Sequence, residues 1–263
     1  MTDRNELVRR AFAQGLRHNG KVVLDRDGRP TTSAKRVMIS IITQEHVYAD
    51  FAMGLAAMCA TGAAEIAICN NKLEADSGVP EIARNNSVET ARQLGVDYVL
   101  FLAPDIVPTP TTLKKLLEHD LPIVGAVYPR SQQPYNVKGR TAGGAELALE
   151  DRLQEMEAMP MGCVLVRMDV FDKLERPYFR QEYIKEDAAT ERQAGIVPDW
   201  VTFATRARQA GILLHADLEV SGEIAHDGSN QCMITRAPAS ANDGAPIGVP
   251  LQSHEPAVES APE

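Results

Sequence analysis

Four β-rich segments alternate with helical segments between residues 37 and 128, and this alternation constrains the fold more than any other feature of the chain. Strands that alternate with helices of this length favour a largely parallel sheet with helices on both faces, so we predict an α/β fold. Thr109 and Pro110 have the types of an N-cap residue and a first-turn proline, which predicts a helix start there. The β-rich segments are 37–43, 64–69, 97–102 and 123–128, and the helical segments are 47–60, 80–94 and 109–118.

The pattern is looser after Pro129. Residues 175–198 have no clean period, which predicts a mobile loop over the site. The other segments predict strands at 153–159, 162–167 and 212–215, a short helix at 169–174 and a longer helix at 199–210 that ends at Gly211.

The same pattern divides the chain into three regions. Residues 1–35 form an N-terminal extension with an Asp-Gly turn at 27–28, and we interpret it as either a small hairpin or an interaction arm. Residues 36–232 form the predicted α/β domain. Residues 233–263 form an acidic tail, which from residue 237 onward contains five prolines, six alanines, four acids and no Lys or Arg. Such a composition buries too little apolar surface to fold, so we predict a disordered tail.

Composition excludes several classes of function. Hydrophobic residues make up 44% and charged residues 24% of the chain, which is typical of a soluble globular protein. The net charge of −9 disfavours a protein that coats nucleic acid. The four cysteines form no CxxC pair, which is typical of buried thiols in a reducing compartment. The polar N-terminus is unlike a signal peptide, and segment 51–64 is too short to span a membrane, so we predict a cytoplasmic protein.

One strand end carries a candidate functional carboxylate. The apolar run 98–103 ends at Pro104, which cannot continue a central strand, and Asp105 follows at once. Ligands of open α/β sheets bind beyond the carboxyl ends of the strands. Asp105 is therefore either a metal or substrate ligand, or a loop residue that hydrogen-bonds the nearby backbone.

Several blocks of sequence, taken in order, resemble one family. The chain is similar to GT-A glycosyltransferases, and most of all to the bacterial and phage proteins grouped with family 2. The resemblance covers roughly residues 37–230. It implies a GT-A fold, which is Rossmann-like with a mostly parallel sheet flanked by helices. The blocks that carry it are 83–86 (Ala-Arg-Asn-Asn), 98–106, 113–117, 123–129, 161–167 with Val170-Phe171, and 198–211.

The resemblance implies a divalent metal, Mn²⁺ or Mg²⁺, that neutralises the departing diphosphate of a nucleoside-diphosphate sugar. The family carries Asp-x-Asp at a strand end, where this chain has Ala103-Pro104-Asp105, so Asp105 matches the acid that usually binds the metal directly. His226 falls where the family often places a second metal ligand, although a lone histidine at a strand end is also a common structural residue. Asp217 fits another family position or caps a turn.

Asp199 matches the family's general base, which removes the proton from the acceptor hydroxyl in an inverting transfer. Asp199 is also suited to be the N-cap of the helix that it begins, and both roles are compatible. The family's preceding acid is Pro198 here, and Glu186-Asp187 is a candidate substitute or an exposed loop pair.

Donor binding is expected at the ends of the first two strands and on the helix that follows them. The resemblance implies that Thr43, Gln44 and Glu45 contact the nucleotide base, while Asn70 closes the second strand at the same sheet edge. Arg84 is suited to pair with the base or a phosphate, or is a helix-surface residue. We expect Phe203 and Arg206 to pack and anchor their helix rather than contact substrate. Trp200 is suited to stack on a sugar or base, or is a packed aromatic, which we favour.

We therefore expect a metal-dependent glycosyltransferase that moves a sugar to an acceptor hydroxyl on a glycan, a protein, a lipid or a modified base. The replacement of family acids by Ala103 and Pro198 keeps a second interpretation open, a GT-A-like binding or structural protein without catalysis. A nucleotidyltransferase is disfavoured because we find no glycine-rich triphosphate loop near the N-terminus.

Overall fold

A computed structural model describes residues 23–24, 30–31, 35–43, 46–70, 80–129, 137–144, 147, 151–184 and 195–226. The helices of these residues are α1 (Ala49–Ala60), α2 (Pro80–Leu94), α3 (Thr112–Glu118), α4 (Asp199–Gln209) and α5 (Leu218–Glu223), with 3₁₀ helices at Ala142–Gly144 and Met168–Lys173. The strands are β1 (Val23–Leu24), β2 (Pro30–Thr31), β3 (Arg36–Ile41), β4 (Glu65–Asn70), β5 (Tyr98–Leu102), β6 (Ile106–Val107), β7 (Ile123–Gly125), β8 (Tyr128–Pro129), β9 (Val137–Lys138), β10 (Arg140–Thr141), β11 (Leu153–Ala158), β12 (Cys163–Arg167), β13 (Glu182–Ile184), β14 (Gly195–Val197), β15 (Leu214–Asp217) and β16 (Ala225–His226).

Eight strands form one central sheet in the order β10-β11-β15-β7-β12-β5-β3-β4. Strands β11 and β12 run antiparallel to both of their neighbours, and the other six strands run in one direction. Helices flank this mostly parallel sheet, so the predicted α/β fold is confirmed. Parallel strands buried on both faces read as nearly continuous apolar runs, as β5 does and as β3 does apart from Arg36 and Ser40.

Successive residues of each strand supply the two faces of the sheet with separate hydrophobic cores, because side chains alternate along a strand. Val99 and Phe101 of β5 pack on one face with residues of α2 and α4. Leu100 and Leu102 pack on the other face with residues of α1 and α3. The sheet is thereby held between two helical layers, and its edges are left for loops.

The carboxyl ends of the six parallel strands share one edge of the sheet. Residues that follow or close β3, β4, β5 and β7 therefore lie along this edge, and so does Gly162, because β12 begins there in the opposite direction. We call this the carboxyl edge. The predicted site residues that lie along it are Thr43, Asn70 and Asp105.

Several element predictions need correction. Helix α3 begins at Thr112 because Thr109 and Thr112 first form a turn, in which the Thr112 hydroxyl oxygen accepts a hydrogen bond of 2.9 Å from the Thr109 amide. The segment predicted as a mobile loop contains the paired strands β13 and β14, and its Tyr178 and Phe179 are buried in the core. The last central strand is displaced by two residues, to β15, and the sequence did not predict α5 or β16.

The structure describes the other predicted regions only in part. Strands β1 and β2 pair antiparallel, which agrees with the small-hairpin interpretation of residues 1–35. The tail 233–263 lies outside the described residues. Among the described residues, Cys59, Cys69 and Cys163 form no disulfide. Within the described part of the chain, every helix is too short or too polar to cross a membrane.

Candidate active site

Asp105 and His226, which are 121 residues apart in the sequence, meet at the carboxyl edge. The Nε2 atom of His226 lies 3.1 Å from Oδ2 of Asp105. Asp105 follows β5 in a turn that the Ile106 amide closes by donating to the Ala103 carbonyl at 3.1 Å. The antiparallel pairing of β6 with β16 sets His226 opposite Ile106 and so brings the imidazole to Asp105. The Asp105 side chain is 42% exposed and the His226 side chain 3%, so the pair opens to solvent on the carboxylate side.

The backbone fixes the orientation of the His226 ring. Its Nδ1 lies 2.6 Å from the carbonyl oxygen of Pro129, and since a carbonyl only accepts, Nδ1 carries the hydrogen. In the neutral ring Nε2 is then a lone-pair acceptor that faces another acceptor, the Asp105 carboxylate. Two acceptors at 3.1 Å need a proton or a cation between or beside them.

A carboxylate oxygen and an imidazole nitrogen can both bind a divalent metal ion. Ligand histidines usually donate their second nitrogen to a carbonyl or carboxylate, as Nδ1 of His226 does here. Among the described residues no third His, Cys, Asp or Glu joins the pair. Mg²⁺ that is also bound by substrate phosphates is usually held by only one or two carboxylates of the protein.

Tyr128 forms the buried wall of this site. Its ring contacts the His226 ring edge-on, with centroids 5.1 Å apart. Burial raises the pKa of the Tyr128 phenol, and the negative charge of Asp105 raises it further, while the positive charge of Arg84 opposes the shift. The phenol therefore stays protonated and lies within electrostatic reach of both Asp105 and Arg84.

Asp199 and Arg84 form a second, largely buried pair. The Nη1 atom of Arg84 on α2 donates to Oδ2 of Asp199 at the start of α4, and the two side chains are 16% and 7% exposed. The Nε atom of Arg84 is buried without a hydrogen-bond partner among the described residues. The prediction that Asp199 is the N-cap is wrong, because Pro198 holds that position and no side chain caps the helix. Asp199 is free of that task, and Arg84 is its partner instead.

Hydrogen bonds to the backbone of segment 177–180 fix the two helices that carry this pair. Asn85, next to Arg84, accepts from the Tyr178 amide at 2.8 Å and donates to the Phe179 carbonyl at 2.7 Å. Thr202 of α4 donates to the Arg180 carbonyl. The prediction that Arg206 anchors its helix is confirmed, since it donates to the Pro177 carbonyl at 2.6 Å.

The other helix residues also follow the expectation of packing. Phe203 is fully buried, and Trp200 packs against the same core cluster. Packing alone explains the positions of both aromatic rings.

The remaining predicted site residues differ in their burial, and the structure does not describe all of them. Thr43 is buried and its hydroxyl donates to the His46 carbonyl at 2.8 Å, which closes the loop after β3. Asn70 ends β4 with an exposed side chain. Gln44, Glu45 and the pair 186–187 lie outside the described residues.

Asp217 was predicted either to fill a family position or to cap a turn, and the structure shows it as a cap. One of its carboxylate oxygens accepts from the Val220 amide at 2.8 Å and so caps α5. The other lies 2.7 Å from Nε2 of His119. Asp217 has no exposed side-chain surface, so it is a buried anchor of the segment that leads to His226.

Sequence reasoning assigned no role to Tyr128 or Gly162. A Cβ atom at Gly162 would lie 2.1 Å from the Tyr128 hydroxyl, so the glycine leaves the room that the phenol occupies. The available signal was the position of Tyr128 before a proline at the end of a predicted strand, the same context that drew attention to Asp105.

Comparison with known proteins gives a likeness of fold. No protein-family model and no curated protein sequence matches the chain. The crystal structure of A197 from STIV is similar with a TM-score of 0.51 at 13% identity, over 80% of this chain and 100% of A197. The catalytic domain of Drosophila β1,4-galactosyltransferase 7, in complex with xylobiose, has a TM-score of 0.43 at 14% identity, over 69% of this chain and 65% of that domain. The chain shares its α/β fold with A197.

Proposed function

We propose that the protein is a metal-assisted glycosyltransferase that uses a nucleoside-diphosphate sugar. The observation that carries the proposal is the meeting of Asp105 and His226 at 3.1 Å on the carboxyl edge, with His226 oriented by the Pro129 carbonyl. The sequence resemblance to GT-A glycosyltransferases nominated both residues as metal ligands. The α/β fold which that resemblance implies is present, and its carboxyl edge is where such folds bind ligands.

Asp105 and His226 would hold Mn²⁺ or Mg²⁺, which supplies Lewis-acid stabilisation of the negative charge on the departing diphosphate. The acceptor hydroxyl oxygen forms a bond to the anomeric carbon as the bond from that carbon to the diphosphate oxygen breaks. The electron pair of the broken bond stays on the diphosphate. The hydroxyl proton passes to the carboxylate of Asp199, as general base.

A second function, binding without catalysis, has its own support in the structure. Ala103 and Pro198 replace two acids of the resembling family, and Arg84 occupies an oxygen of Asp199. A base needs an oxygen within hydrogen-bond reach of the acceptor proton. A GT-A-like binding protein would keep the nucleotide site and lack transfer.

Ligand-dependent unfolding tests the metal and donor site. We expect UDP or GDP together with Mn²⁺ to raise the unfolding midpoint, since a ligand at a hundredfold excess over its Kd stabilises by about 2.7 kcal/mol. Asp105→Asn and His226→Gln should each remove the metal-dependent shift. Asp172→Asn, which changes an exposed acid on the short helix Met168–Lys173, is the matched control and should keep it.

The outcomes separate three cases. A metal-dependent shift that survives in both ligand variants would contradict the proposed site. A shift that is lost in the variants, combined with sugar release or transfer by the native protein, supports the glycosyltransferase. The same shift without any turnover of nucleotide sugars favours the binding protein.

A further inference from the structure

The carboxylate proposed as general base is engaged by a cation, the guanidinium of Arg84. Arg84 donates to Oδ2 of Asp199, and only 7% of the Asp199 side chain is exposed. An acceptor hydroxyl that approached this oxygen would have to compete with a charge-assisted hydrogen bond, which is stronger than a bond between neutral groups. The base is therefore blocked as it stands.

Arg84 is itself incompletely satisfied. A guanidinium has five N–H donors and no acceptor, and the buried Nε of Arg84 has no partner among the described residues. Leaving a buried donor unpaired costs free energy. A guanidinium also matches the geometry of a phosphate with two parallel hydrogen bonds. A phosphate beside Arg84 would offer the acceptors that the ion pair with Asp199 does not.

The proposed function brings the diphosphate near Arg84. The base and the departing diphosphate both act at the anomeric carbon, and Arg84 hydrogen-bonds the carboxylate proposed as the base, Asp199. A diphosphate held by a metal at Asp105 and His226 would then place negative charge beside the guanidinium.

The exchange needs only a side-chain movement. The backbones that carry Arg84 and Asp199 are tied to segment 177–180, through Asn85 on α2 and Thr202 on α4. Arginine has a long side chain that rotates about several bonds, whereas these tied helices resist displacement. Rotation of the guanidinium is thus the easiest way for the pair to open.

We propose that Arg84 is a donor-operated latch, which blocks Asp199 when no donor is bound and moves to the donor's diphosphate when the metal-bound donor enters. This inference rests on the proposed function and adds its regulation. The base becomes available only after the donor has bound, so donor binding precedes productive acceptor binding.

Chemical labelling of carboxyl groups tests the latch without any turnover. The native protein and Arg84→Gln are treated with a carbodiimide and an amine, and modification of each aspartate is measured by mass spectrometry. Without ligand, Arg84→Gln should increase the labelling rate of Asp199 by about tenfold, the factor expected when one hydrogen bond to a charged group is lost. In the native protein, Mn²⁺ with UDP should increase the labelling of Asp199, and in Arg84→Gln it should not increase it further.

Two other aspartates serve as references in every sample. Asp217, whose side chain has no exposed surface, reports unfolding if it is labelled, and Asp172, which is 61% exposed, reports the reagent's activity. If Arg84→Gln fails to fold, Arg84→Lys keeps the charge but not the planar fork and takes its place. In Arg84→Lys the labelling of Asp199 should lie between those of the native protein and an unblocked carboxylate.

Two results would overturn the latch. One is equal labelling of Asp199 in native protein and Arg84→Gln. The other is labelling of native Asp199 that Mn²⁺ and UDP leave unchanged. The unfolding midpoint of the same samples shows whether UDP binds, so a failure of the latch alone is distinguished from a failure of the proposed function.

Discussion

At the scale of single residues, the site is shaped by the close approach of Tyr128 to Gly162. A Cβ atom at position 162 would lie 2.1 Å from the phenol oxygen and 2.6 Å from Cζ, so the tyrosine ring would have to move. That ring contacts His226. We expect Gly162→Ala to destabilise the protein by about 1–3 kcal/mol, as overpacking of a core does, and to weaken the metal-dependent shift in the unfolding midpoint.

Gly195→Ala is the matched control for this substitution. A Cβ atom at Gly195 meets nothing within 4 Å, so the same chemical change should leave the midpoint and the metal response as in the native protein. If Gly162→Ala also left both unchanged, Tyr128 would not be the wall of the proposed metal site.

The residues of the site differ in how far the sequence predicts them. Asp105 is signalled locally, by a strand end followed by Pro104, whereas the role of His226 rests on the family resemblance. The pairs Tyr128–Gly162 and Arg84–Asp199 join residues that are distant in the sequence, and the latter are 115 positions apart. No local pattern encodes such a contact, because it depends on where two elements meet in the folded chain.

At the scale of elements, an aromatic cluster holds α4 and the short helix Met168–Lys173 against the sheet. The ring of Phe179 lies 4.6 Å from that of Phe203 on α4 and 5.4 Å from that of Phe101 on β5, measured between centroids. We expect Phe179→Ala to cost about 3–5 kcal/mol of folding free energy, since it leaves a large cavity. Denaturant unfolding measures this loss directly.

The control is Tyr183 on β13, four residues after Phe179. Tyr183 is 69% exposed, so Tyr183→Ala should change the stability by no more than about 0.5 kcal/mol. A similar small effect for Phe179→Ala would show that segment 177–180 does not fix α4, and with it Asp199.

The elements that the sequence predicts best are the strongly periodic ones. Helix α2 has the predicted bounds, Pro80–Leu94, because apolar positions recur at helical spacing after a first-turn proline. The segment around Phe179 has no period, and tertiary contacts bury it instead. Helix α5 begins with a cap from Asp217 and spans only six residues, which is too short for a periodic signal.

At the scale of the whole molecule, the sequence predicts the α/β class but not the order of the strands. Strand β12 lies between β5 and β7 and runs against both of them. An apolar run gives no sign of direction, so β12 reads like any buried strand. Its insertion nevertheless brings Gly162 to the carboxyl edge and completes the site.

The pH dependence of global stability tests the burial of the central sheet. His215 lies on β15 and its Nδ1 is buried without a hydrogen-bond partner among the described residues. Burial lowers the pKa of His215 below its usual value of 6.5, with Glu155 opposing the shift and His119 adding to it. As the pH falls through 6.5, the unfolded chain binds a proton at this histidine before the folded chain does. The free energy of unfolding therefore decreases on acidification.

We therefore expect the free energy of unfolding of the native protein, measured in urea between pH 8 and about pH 5, to fall more steeply than that of His215→Gln. The amide of the variant does not titrate, so its stability at the acidic end is no longer reduced by this group. His46→Gln, at an exposed position, is the control and should keep the native profile. An unchanged profile in His215→Gln would mean that the imidazole is solvated in the folded protein, and that β15 is less buried on that side than the structure shows.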